Sequence, residues 1–89
     1  MTAVRQFFVY NYTMQFKLLF KKQINGGYLC YVPSLPGCVV EGETIDEATQ
    51  MAYEVIPACL SIFEEEGVEI IDDSDVVERQ LTIPFVSRL

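Results

Sequence analysis

The chain has 89 residues, enough for one domain with one modest core and too few for a second independent one. Six Lys and Arg against thirteen Asp and Glu give a formal net charge of -7, which repels a phosphate backbone and argues against direct nucleic-acid binding. Histidine is absent, so the usual general base, nucleophilic triad and zinc site are missing; the chain reads as a binding module, not an enzyme, with no catalytic residue, metal or cofactor expected.

Residues 1–12 carry the apolar run Phe7-Phe8-Val9-Tyr10 without a clear period. They form an N-terminal extension, read as an added strand, a disordered leader or a misannotated start. From Met14 to Lys21, Met14, Phe16, Leu18 and Phe20 alternate with Gln15, Lys17, Leu19 and Lys21, which predicts a half-buried strand. Asn25-Gly26-Gly27 supplies residues tolerant of positive φ, and Tyr28 to Val32 resumes the apolar pattern, so an antiparallel hairpin is expected. Pro33 and Pro36 lack backbone donors and predict a rigid rim loop. Cys38-Val39-Val40-Glu41 then reads as a short third strand ended by Gly42.

Thr44 and Glu47 have capping-box spacing, with the carboxylate expected to return to the cap amide, and Asp46 adds charge that the helix dipole favours. Ala48, Ala52, Val55, Ile56, Cys59, Ile62 and Phe63 recur at helical spacing. They predict a helix over residues 45–66, kinked or split at Pro57, with Gly67 as its stop. Beyond an acidic connection, Leu81, Ile83 and Phe85 alternate in a last predicted strand, which a helical crossover would place parallel to the first. The expected fold is thus α+β, a β-β-β-α-β mixed four-stranded sheet with one long helix on one face. The domain is assigned to residues 13–86, with 87–89 as a tail. Leu19, Leu29, Tyr31 and Val39 would occupy the uncovered face and suggest a subunit contact.

Cys30, Cys38 and Cys59 are odd in number and lack metal-site spacing. With no signal peptide or bilayer-length apolar run, the expected location is cytoplasmic, without membrane association. Cys30 and Cys59 read as small buried hydrophobes, and Cys38 lacks an activating base. Glu64, Glu65, Glu66, Glu69, Asp72, Asp73, Asp75 and Glu78 gather late in the chain. The plain reading of that cluster is a solubilising surface; the functional one is a surface for a basic protein.

Three motifs in order carry a family resemblance: Gly26-Gly27-Tyr28; Pro33-Ser34-Leu35-Pro36-Gly37-Cys38; and Gly42-Glu43-Thr44-Ile45-Asp46-Glu47-Ala48. They resemble the HicB-like antitoxin family, whose second motif usually reads Pro-Asp-Leu-Pro-Gly-Cys, so Ser34 departs from the pattern. The resemblance spans roughly residues 14–66 and weakens toward Phe85. It implies a partial RNase H-like fold without a working nuclease centre. It also implies neutralisation of a HicA-like toxin, a small basic mRNA endonuclease with a catalytic histidine, and assembly as a homodimer or higher oligomer. The C-terminal DNA-binding domain common in such antitoxins is not expected here. Gly26, Gly27, Tyr28, Pro33, Pro36, Gly37, Cys38, Gly42, Thr44, Glu47 and Ala48 are read as architectural. Tyr31, Leu35, Pro36, Glu64, Glu65, Asp72, Asp73 and Asp75 are the candidate partner contacts. An orphan homo-oligomeric regulatory or structural module and a small-ligand sensor are the alternatives.

Overall fold

The computed structural model describes residues 13–88; the expectations for residues 1–12 lie outside them. Three short strands, β1 (Leu19–Lys22), β2 (Tyr28–Tyr31) and β3 (Val39–Gly42), precede one helix, α1 (Ile45–Glu65). The strands form an antiparallel meander in the order β1-β2-β3. Period-two alternation sorts their side chains. Phe20, Cys30 and Val40 are aligned partners across the sheet, and they pack with Ala48 and Ala52 of α1 in one core cluster. Leu19, Tyr31 and Val39 form the neighbouring row on the opposite face.

Positive backbone angles are used where the chain reverses. Gly26 and Gly27 have φ of 95° and 82°, values that cost glycine little and any β-carbon-bearing residue more. The Pro33-to-Gly37 loop consists of two successive turns, closed by the Leu35 amide on the Val32 carbonyl and the Cys38 amide on the Leu35 carbonyl, each at 2.9 Å. Leu35 sits at their shared corner and is fully buried with Val32 and Cys38 in a second cluster. Cys59, Leu60 and Phe63 close that cluster from α1.

The helix starts as its sequence dictates. Thr44 Oγ1 accepts the Glu47 amide at 3.0 Å. The Glu47 carboxylate accepts the amide of Glu43 at 3.3 Å, one residue before the cap amide that the motif predicts. At the far end, Val68 donates to Phe63 and Gly67 to Glu64, with Gly67 at φ 72°. That paired bonding is a Schellman stop. Pro57 neither splits nor ends α1, which runs through it without interruption. Both Pro57 and Tyr53 are exposed, so water rather than core meets the carbonyl that the proline leaves without a donor.

Among the described residues the expected four-stranded mixed sheet is not formed: the architecture is β-β-β-α, with a three-stranded antiparallel sheet. After α1 the chain returns only as far as residues 72–78, where Asp72 and Asp73 bind the segment before β1. Residues 80–86 then run outward without joining a ladder, and Leu81, Ile83 and Phe85 are 81%, 65% and 84% exposed. Alternation identified a segment suited to pairing but could not supply it with a neighbour in its own sheet. The first strand is likewise shorter than its pattern, because Met14 to Leu18 keep the alternation without a ladder partner.

Candidate functional site

Two surfaces stand apart from the core, and one is acidic. Glu64, Glu65 and Glu66 end α1, and Glu69 and Asp75 follow; all five are exposed. Among the described residues the one ion pair is Lys17 with Glu78, at 3.4 Å, so these carboxylates pair with no described cation. A second acidic concentration lies at the other end of the sheet. Glu41, Glu43 and Glu47 meet the Gly26-Gly27 turn around a concavity of about 460 Å³. Sequence reasoning missed this grouping because it assigned Glu41 to a strand and Glu47 to a cap. Only the hairpin register, which sets Leu29 opposite Glu41 and Tyr28 opposite Gly42, brings them to one place.

The predicted contact residues fall into three environments. Glu64, Glu65, Asp75 and Pro36 are exposed, and Tyr31 is half-buried on the open sheet face. Leu35 is fully buried; it anchors the loop from inside, and its place as a contact candidate is corrected accordingly. Asp72 and Asp73 are half-buried and already engaged. Asp72 accepts the Gln15 amide at 2.9 Å and the Ser74 hydroxyl at 2.9 Å. Asp73 accepts the Lys17 amide at 2.8 Å and the Ser34 hydroxyl at 2.6 Å, and its own amide donates to the Gln15 carbonyl at 2.7 Å. The Gln15 amide holds the Asp72 carboxyl below its ordinary value, and the Lys17 amide followed by the Ser34 hydroxyl does so for Asp73. These two acids therefore join the pre-β1 segment, the rim loop and the post-helix chain.

The second surface is apolar. Leu19, Tyr31 and Val39 cross the open face as one row. Beside it, Leu19, Pro33, Val76 and Val77 line a groove of about 350 Å³ bordered by Lys17, Asp73, Glu78 and Arg79. The thiols are elsewhere. Burial pushes Cys38 up to about 11, with Cys59 beside it adding to the effect, and burial also raises Cys30. Both stay protonated near neutral pH, which disfavours them as nucleophiles or metal ligands. Among the described residues, no three His, Cys, Asp or Glu side chains gather to hold a metal ion, and no helix is long and apolar enough to cross a membrane.

A three-stranded antiparallel meander with one helix on one face and acidic rims defines a small α+β domain. No family model matches the chain. It is 42% identical over 53 residues to UPF0150 protein ssr1258 of Synechocystis, covering 60% of this chain and 77% of that protein. It is 35% identical over 49 residues to a UPF0150 protein of Archaeoglobus fulgidus, covering 55% and 71% respectively. A further Synechocystis relative, UPF0150 protein ssr1765, is 42% identical over 48 residues; the match takes in 54% of this chain and 56% of that protein's length. The chain belongs to the UPF0150 family.

Proposed function

We propose that this UPF0150 domain is a HicB-like capture protein that binds and neutralises a small basic HicA-like mRNA endonuclease. The observation that carries the reading is the acidic surface of Glu64, Glu65, Glu66, Glu69 and Asp75, all exposed and none paired with a described cation. A ribonuclease must present positive charge to its RNA, and a protein surface of opposite sign competes for the same groups while steering encounter. The ordered motifs from Gly26 to Ala48 support the same reading through their resemblance to that antitoxin family. Their side chains shape the platform, which leaves exposed carboxylates to meet the partner. The capture protein is expected to act as an oligomer in the cytoplasm and to need no cofactor.

Toxin capture predicts a reading frame for a small basic, histidine-containing protein beside that of this chain, and co-expression with such a protein tests the proposal. Co-purification at moderate salt is expected, with loss of complex as ionic strength rises. Reversing charge at Glu64, Glu65 and Glu69 together should slow association at low salt more than it speeds dissociation. Absence of any stable complex would count against toxin capture.

A further inference from the structure

Residues 80–86 combine three properties. They alternate as a strand, with Leu81, Ile83 and Phe85 in one phase. Those side chains and Val86 are exposed, Val86 by 84%. The segment also lies outside the three-stranded sheet of its own chain. Such an arm leaves apolar surface and backbone donors in water, both of which another strand edge would satisfy.

We propose that residues 80–86 of each copy pair with the outer edge of β3 in a second copy, making a reciprocal arm exchange. Among the described residues, the outer edges of β1 and β3 pair with no other strand, and charge separates them. The arm is flanked by Arg79 and Arg88 and contains no acid, whereas all thirteen acidic residues precede it. β1 carries Lys21 and Lys22, which oppose those arginines; β3 carries Glu41, with Glu43 just beyond. Attraction therefore selects β3.

Apolar contact reinforces the choice. On β3, Val39 ends the exposed Leu19-Tyr31-Val39 row, and an arm paired there adds one of Leu81, Ile83 and Phe85 to that row while the other two line the same face on either side of it or beyond it. Seven extended residues reach roughly 23 Å, longer than the four-residue β3 they would pair with. Pro84 removes one ladder donor, which the outermost strand of a sheet tolerates. An isologous pair uses both arms and both β3 edges and leaves no open end. The exchange is independent of toxin capture, since the acids at the end of α1 take no part in it.

Light scattering over a concentration series, with the full chain and an Ile83→Asp/Phe85→Asp variant, tests the exchange. The wild-type chain is expected to be a dimer, and the variant to dissociate roughly 100-fold or more readily, because two side chains lose their burial. The helical circular-dichroism signal of α1 should be retained, as both positions are exposed in the single chain, while the strand signal contributed by the paired arms is lost. A Val39→Cys/Phe85→Cys chain should form a disulfide-linked dimer on mild oxidation. A wild-type monomer, an equally stable variant dimer, or a Val39→Cys/Phe85→Cys chain that links only within itself would overturn the proposal.

Discussion

The Ser34 hydroxyl donates to one oxygen of Asp73 at 2.6 Å while the other oxygen accepts the Lys17 amide at 2.8 Å. One carboxylate thus ties the rim loop, the approach to β1 and the chain beyond α1. Asp73→Asn keeps the size but replaces one acceptor oxygen with an NH2 donor, so it cannot accept from both the Lys17 amide and the Ser34 hydroxyl, and should lower stability by about 1 kcal/mol after allowance for partial exposure. Urea melts of the variant should show a reduced midpoint, and an unchanged midpoint would remove Asp73 as a tie between segments. Ser34→Asp, the residue usual in the resembling motif, would set two carboxylates together. It should be destabilising alone and recover when combined with Asp73→Ser, a double-mutant cycle with clear coupling.

Acid should loosen the same junction. Asp72 and Asp73 are held below the ordinary aspartate value of 3.8 in the folded chain. Their contribution is therefore complete above 3.8 and is lost as pH falls below it through the folded values. Thermal melts along this acid limb should show falling stability, with a shallower fall in Asp73→Asn. Identical slopes in both chains would contradict the assignment.

The junction of β3 with α1 is tight for a different reason. A β-carbon at Gly42 would lie 2.8 Å from the Ala48 Cα, and backbone on that side cannot yield as a side-chain tip can. Gly42→Ala should cost about 1–3 kcal/mol through overpacking. Thr44→Ala, which removes the cap, should cost about 1 kcal/mol. Chemical denaturation that ranks the two equally near zero would show the strand-to-helix corner to be looser than its geometry.

Buried thiols give a third handle on the core. Cys38, ordinarily at 9.0, is pushed to about 11 by burial and by neighbouring Cys59. The folded chain retains this proton longer than the unfolded chain, so the contribution of Cys38 to stability falls as pH rises from 9.0 toward 11. Iodoacetamide should modify Cys30 and Cys38 slowly in the native protein and rapidly in denaturant. Fast native labelling of Cys38 would refute its burial.

Elements that rest on local chemistry were legible in the sequence. Thr44 with Glu47 marked the start of α1 and Gly67 its stop, while Asn25-Gly26-Gly27 marked the hairpin, because each motif specifies its own backbone geometry. What depended on distant partners was not. Leu81, Ile83 and Phe85 had the period of a strand, yet period carries no information about where a neighbour lies. Asp72 and Asp73 looked like free surface charge, since nothing in their vicinity announces amides and a hydroxyl that arrive from residues 15, 17 and 34. Leu35 reads as a rim contact because nothing local shows which way it faces, and only the two turns around it point it inward. The Glu41, Glu43 and Glu47 grouping needed the sheet register before it could be seen.

Toxin capture is tested most directly by an RNA-cleavage assay of the small basic protein that the proposal predicts to be encoded beside this chain, titrated with this chain. Cleavage should fall to background near equimolar addition, and charge reversal at Glu64, Glu65 and Glu69 should shift the titration to higher concentration at the same fold stability. Full RNA cleavage at saturating concentrations of the wild-type chain would contradict the account.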